Sequence, residues 1–177
     1  MGQTQSGNIE ILNNLLVSSA LTQEDMNRIQ KKFNHYDLDG NGSIDINEFR
    51  SFKGLDENLL IDRIFHALDQ NNDGFIDFYE FCTGLSIFAG PSTKEKKTAF
   101  LMKIFDFDDD GFIGQTDLIS TIELLISDKL TNEQMEDIAR AEIARNDADG
   151  DDKLSYEEFS QVIDKLNLSS QMQVVIK

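Results

Sequence analysis

The sequence predicts an all-α protein assembled as two pairs of helix-loop-helix hands, with short β pairings between the loops of each pair. Three observations predict it. Four acidic 12-residue windows begin at Asp37, Asp69, Asp106 and Asp147, spaced by 32, 37 and 41 residues, the mark of an internal repeat. Each window lies between stretches whose apolar residues recur at helical spacing. Each also carries an apolar residue at its eighth position, Ile44, Ile76, Ile113 and Leu154, and a lone hand would leave that short strand edge open.

Taken in order, the helix entering the first window starts at Thr22. Asp25 three residues on completes a capping box, and Met26, Ile29, Phe33 and Tyr36 line one face. Leu60, Ile64, Phe65 and Leu68 give the same spacing before the second window, and Phe100, Leu101, Ile104 and Phe105 before the third. Thr131 and Gln134 repeat the cap signal ahead of the fourth. The strongest breaker cluster, Ala89-Gly90-Pro91-Ser92-Thr93, contains the only proline and falls between the second and third repeats. The expected organisation is an N-terminal segment over 1–21, a first pair over 22–88, a linker over 89–93, a second pair over 94–166, and an apolar tail over 167–177.

The net charge of -17 comes from 33 acidic against 16 basic residues, and its placement matters more than its size. The four windows hold four, four, five and six acids, 19 in all, and a single base, Lys153. The other 129 residues are nearly balanced, with 15 basic and 14 acidic groups. The acidity is therefore local chemistry, and nucleic acid, which needs concentrated Lys and Arg, is excluded as a partner. With 40% hydrophobic residues and no apolar run near the roughly 20 that span a bilayer, the chain reads as globular. The absence of a basic stretch followed by an apolar core predicts a cytoplasmic address. One cysteine, Cys82, permits no internal disulfide and reads as a small buried hydrophobe. His35 and His66 are too few and too separate for a metal or catalytic cluster.

The first window, Asp37-Leu-Asp-Gly-Asn-Gly-Ser-Ile-Asp-Ile-Asn-Glu48, places oxygen donors at positions 1, 3, 5, 7, 9 and 12, the pattern of the EF-hand calcium loop. Calcium is a hard cation that takes six to eight oxygens. Asp37, Asp39 and Asn41 supply side chains, Ser43 its backbone carbonyl, Asp45 an oxygen through water, and Glu48 two oxygens that close the shell. Gly42 stands at position 6, where the chain turns sharply. The second window fits equally, with Asp69, Asn71, Asp73, the Phe75 carbonyl, Asp77 and Glu80 around Gly74.

The third window keeps Asp106, Asp108, Asp110 and the Phe112 carbonyl, but has Gly114 at position 9 and Asp117 at position 12. Aspartate is one methylene shorter than glutamate, which favours six-coordinate magnesium or weaker calcium binding. The fourth offers Asp147, Asp149, Asp151, the Lys153 carbonyl, Ser155 and Glu158, with Asp152 replacing glycine at position 6. Aspartate tolerates positive φ better than most residues, at a strain of about 1 kcal/mol. Up to four calcium ions are expected, the third site being weak or taken by magnesium.

Two terminal features go beyond metal binding. Met1-Gly2-Gln3-Thr4-Gln5-Ser6 fits the N-myristoylation pattern with Gly2 as acceptor, the alternative being an unmodified tail. One such chain gives reversible membrane contact. Met172-Gln-Val-Val-Ile176 is apolar beyond the last helix, fit either to cover a groove or to fold into the core.

Four loops in this order, the Met-Gly start with Ser6, the Gly-Pro-Ser-Thr linker and the apolar tail together resemble the calcineurin B family over nearly the whole chain. The resemblance implies a regulatory subunit of a calcium- and calmodulin-dependent serine/threonine phosphatase, clasping a long amphipathic helix of the catalytic subunit. The family's third and fourth loops are usually complete, so Asp117 and Asp152 are departures. The Ile104–Gly111 stretch with Asp117 is also similar to the calcium- and integrin-binding proteins, which lack a working first loop. Calcineurin B homologous proteins tend to have degenerate early loops and recoverin-like sensors a disabled first loop, whereas residues 37–48 are intact.

The expected function is calcium-dependent grip on a partner's amphipathic helix. Leu118, Ile122, Leu125 and Ile126 are groove candidates from their helical spacing. The alternatives are an adaptor of the two related kinds or a plain calcium buffer. No enzyme is expected: the chain has no His-Glu-x-x-His, no Gly-x-Ser-x-Gly and no phosphate-cradling glycine loop.

Overall fold

The computed structural model describes residues 22–52, 60–89, 93–126 and 129–165. Gly2, the 167–177 tail and residues 90–92 of the expected linker lie outside them. The described residues form eight α-helices and one two-stranded antiparallel sheet. In chain order these are α1 (Gln23–Tyr36), β1 (Ser43–Ile44), α2 (Ile46–Arg50), α3 (Ile61–Leu68), β2 (Ile76–Asp77), α4 (Phe78–Ala89), α5 (Lys94–Phe105), α6 (Gln115–Ile126), α7 (Asn132–Asn146) and α8 (Tyr156–Lys165). Ala89 is the last residue of α4 and Thr93 the N-cap of α5, so both ends of the expected linker belong to helices.

The helix starts follow from local side-chain chemistry. The Thr22 N–H donates to Asp25 Oδ2 at 2.9 Å while the Asp25 N–H donates back to Thr22 Oγ1 at 3.2 Å. Thr131 and Gln134 make the same reciprocal pair at 2.9 and 3.3 Å. Each box satisfies two of the N–H groups that a helix start leaves without intrahelical partners. On α1, Met26, Ile29 and Phe33 are buried, as the sequence spacing predicts.

The β pairings form at the eighth loop positions. Ile44 pairs with Ile76 in β1–β2, and Ile113 with Leu154 in a single antiparallel bridge. Ile44, Ile76 and Ile113 are wholly buried, so each pairing is at once a hydrogen-bonded tie between two loops and part of the core. Around it Phe33 meets Phe78 and Phe81 edge-on at 5.3 and 5.5 Å, and Tyr36 stacks on Phe52. Cys82 is fully buried, and burial pushes its thiol up to about 12. Gly84 on α4 exists for packing: a Cβ there would come within 2.0 Å of Leu68 Cδ2 on α3.

One hydrophobic cluster runs through both pairs, from Met26 to Ile163. The junction is α3 against α5, and Arg63 ties it. Its guanidinium donates to the carbonyls of Ile104 at 2.9 Å and Lys103 at 2.8 Å and to that of Asp106, and stacks 4.6 Å from the Phe107 ring centroid. A cation at the C-terminal end of α5 meets carbonyls without intrahelical partners and the negative end of the helix dipole. Hydrogen bonds from a charged group contribute about 1.5–3 kcal/mol. Arg63→Ala should therefore lower the melting temperature in chelator by about 5 °C, and calorimetry showing no change would remove Arg63 as a tie between the pairs.

Candidate metal centre

The four loops share one hydrogen-bonding plan. In each, the position 6 N–H donates to the position 1 carboxylate at 2.9 Å: Gly42 to Asp37, Gly74 to Asp69, Gly111 to Asp106, and Asp152 to Asp147. That turn needs positive φ, and the values are 91° at Gly42, 84° at Gly74, 85° at Gly111 and 65° at Asp152. Asp152 thus adopts the left-handed backbone expected of it. Asp152→Gly should relieve about 1 kcal/mol of strain and tighten calcium at the fourth loop severalfold, which calorimetric titration would register; unchanged affinity would mean no strain is stored there.

Position 4 shares this backbone, with φ of 70° at Gly40, 57° at Asn72, 57° at Asp109 and 80° at Gly150. Sequence reasoning missed it, although the signal was available: only Gly, Asn and Asp, the residues most at ease there, occupy the position.

Position 12 joins the two ends of every loop. Glu48 accepts N–H bonds from Leu38 at 2.7 Å and Asp45 at 2.9 Å, Glu80 from Gln70 at 2.9 Å and Asp77 at 3.0 Å, and Glu158 from Ala148 at 2.6 Å and Ser155 at 2.8 Å. Position 9 answers as a cap: Asp45 Oδ1, Asp77 Oδ1 and Ser155 Oγ accept from the position 12 N–H. The capping box that starts the exit helix is thus built from candidate metal ligands.

The third loop keeps half of this. Asp117 accepts from Phe107 at 2.8 Å and from Gly114 at 2.7 Å, although its side chain is shorter. Gly114 has no side chain to return the cap, and a Cβ on it would lie 3.3 Å from Asp117 Oδ2. Glycine at 9 and aspartate at 12 thus fit together, with the carboxylate drawn in and only 2% exposed.

Oxygens of Asp37, Asp39 and Glu48 lie within 4.8 Å of one another, as do those of Asp106, Asp108 and Asp117, and of Asp147, Asp149 and Glu158. A calcium shell of 2.3–2.6 Å radius holds ligands no more than about 5 Å apart, so these all-oxygen sets fit that ion. In the second loop position 3 is an amide, and Asn71 Oδ1 accepts from the Asp73 N–H at 2.8 Å. Of the other candidates, Asn41 Oδ1 accepts from the Ser43 N–H at 2.9 Å, and Asp110 and Asp151 accept from the N–H groups of Phe112 and Lys153 at 2.9 and 3.0 Å.

Crowding shows in the acid strengths. Burial pushes the Glu80 and Asp106 carboxyls up, and the neighbouring Asp151 charge pushes Asp149 up. Asp110 is pulled down by the Lys153 ammonium hydrogen-bonded to it, and Glu158 by the Ala148 N–H. His66, read from sequence as a structural or surface residue and not a metal ligand, contacts Asp109 Oδ1 at 3.1 Å, joining α3 to the third loop.

The groove candidates divide. Leu118 packs against the core and Ile122 is half-buried, whereas Leu125 and Ile126 at the end of α6 are 46% and 41% exposed. Among the described residues no helix is long and apolar enough to cross a membrane.

The family comparison gives the same architecture. A family model described as an EF-hand domain pair matches residues 26–86 and again 95–163. A calcineurin B protein from Candida glabrata is 37% identical over 163 residues, covering 92% of this chain and 93% of that protein. One from Schizosaccharomyces pombe is 36% identical over 172 residues, covering 97% of each. A type 2 calcineurin B protein from mouse is 32% identical over 177 residues, covering 100% of this chain and 96% of that one. With paired calcium-type loops throughout and relatives aligned over nearly its full length, the chain belongs to the EF-hand proteins and, within them, to the calcineurin B family.

Proposed function

We propose that the chain is a calcium-binding regulatory subunit whose partner is a phosphatase catalytic subunit, gripped through an amphipathic helix of that partner. The first pair, 22–88, would hold metal through Asp37, Asp39, Asn41, Ser43, Asp45 and Glu48 and through Asp69, Asn71, Asp73, Phe75, Asp77 and Glu80. The second pair, 94–166, would use Asp106, Asp108, Asp110, Phe112 and Asp117, and Asp147, Asp149, Asp151, Lys153, Ser155 and Glu158. The bound cation supplies positive charge that offsets the mutual repulsion of these carboxylates.

One observation carries the regulatory reading: the position 12 carboxylate bonds N–H groups at both ends of its loop. Turning those oxygens toward a metal requires the N–H bonds to rearrange, and position 12 lies in the first turn of the exit helix. The helix then shifts against its neighbour, which is how calcium opens sensor hands. Leu118, Ile122, Leu125 and Ile126 on α6 are proposed to line the opened face, with catalysis belonging to the partner. The proposed place of action is the cytoplasm, with reversible membrane contact through a myristoyl group on Gly2, testable by the intact mass of the chain co-expressed with an N-myristoyltransferase. A solution test is the binding of an apolar fluorescent dye: a regulatory subunit should gain dye signal on calcium addition, whereas an unchanged signal would mark a buffer.

A further inference from the structure

Lys153 belongs to the fourth loop by sequence and to the third by contact. It stands at position 7 of its own loop, where the EF-hand pattern uses only the backbone carbonyl. Its side chain is thereby free for another purpose, and its ammonium bonds Asp110 Oδ2, at position 5 of the third loop, and lies 5.4 Å from the Phe112 ring centroid. The reach is set by the fold. Ile113 and Leu154 exchange N–H bonds at 3.0 and 2.9 Å, so the strand-like ends of the two loops run side by side and Lys153 is held next to residues 110–112.

We infer that Lys153 is a built-in competitor for metal at the third loop: its ammonium and an incoming divalent cation claim the same Asp110 carboxylate, so a fourth-loop side chain sets third-loop affinity. The inference rests on the proposed reading of the third loop as a metal site. An ammonium offers three donors and a positive charge to a carboxylate. Coordination through Oδ2 would displace it, and coordination through Oδ1, which accepts the Phe112 N–H, would leave the ammonium beside the ion; in either case its charge repels the ion. The first pair has no counterpart: its position 7 residues are Ser43 and Phe75, and Lys153 is the only base in any of the four windows. The third loop is thus weakened twice, by the shorter Asp117 and by Lys153. The pair is partly exposed, with side-chain exposures of 44% and 33%, so solvent screens the effect.

The test is a calcium titration of the isotope-labelled full chain followed by NMR. The position 6 amides of Gly42, Gly74, Gly111 and Asp152 each bond their own loop's first aspartate and so report each loop separately. Lys153→Met should lower the calcium midpoint at Gly111 about three- to tenfold, shift that at Asp152 less, and leave Gly42 and Gly74 unmoved. Lys153→Arg, which keeps the charge, should restore the wild-type midpoint at Gly111. In about 0.5 M KCl the difference between Lys153→Met and wild type should shrink, because added salt screens this partly exposed charge. An equal Gly111 midpoint in wild type and Lys153→Met at low salt, or a larger shift at Asp152 than at Gly111, would overturn the inference. A Gly111 amide indifferent to calcium in both proteins would instead refute the third loop as a calcium site, and the inference with it.

Discussion

Glu80→Gln is expected to weaken calcium binding at the second loop by about two orders of magnitude or more, since ligand charge is what tunes these loops across many decades of affinity. Glu80 is only 3% exposed and its two oxygens take N–H bonds from Gln70, Asn71 and Asp77. Glutamine keeps the size but loses the charge and one acceptor oxygen, leaving a buried NH2 facing N–H donors. The loss should spread. Asp77 pairs with Ser43 and Ile76 with Ile44, so a disordered second loop no longer steadies the first, whose affinity should fall severalfold as well. Calorimetric titration of the variant should show both losses; full retention of second-loop binding would remove Glu80 from the ligand set.

The second large effect falls on stability. Ile76→Ala should cost about 3 kcal/mol, within the range for removing three methyl or methylene carbons from a packed core. Ile76 has no exposed surface, and its neighbour in the strand pair, Ile44, has none either, so the cavity cannot fill from solvent or by a short side-chain swing. At this chain length the corresponding fall in melting temperature is about 6–12 °C. The substitution keeps the backbone pairing, so calcium binding should weaken less than stability does. A fall below about 2 °C would show that the apolar eighth position is not a keystone of the pair.

What the sequence made legible is what depends on short chain separations. The twelve-residue windows, the Thr22–Asp25 and Thr131–Gln134 caps and the apolar eighth positions are all encoded within about one loop and one helical turn. Even the Ile44–Ile76 and Ile113–Leu154 pairings followed, because paired hands bring equivalent positions together. What stayed hidden depends on how one pair meets the other or how neighbouring side chains settle. Arg63 reaches carbonyls some forty residues away, His66 finds Asp109, and Lys153 finds Asp110. A lone Arg, His or Lys in the sequence carries no sign of which distant surface it will meet. The groove guess shows the same limit from another side. Leu118, Ile122, Leu125 and Ile126 share a helical face by spacing, yet burial falls along it: Leu118 packs on the core, Ile122 is half-buried, and Leu125 and Ile126 are exposed.

The most direct test of the account is purification of the tagged full chain from its source cells in calcium and in chelator, with mass spectrometry of the bound proteins. The regulatory-subunit reading predicts a serine/threonine phosphatase catalytic chain carrying a long amphipathic helix, its activity dependent on calcium in the recovered complex. Recovery of no phosphatase chain under either condition would contradict it.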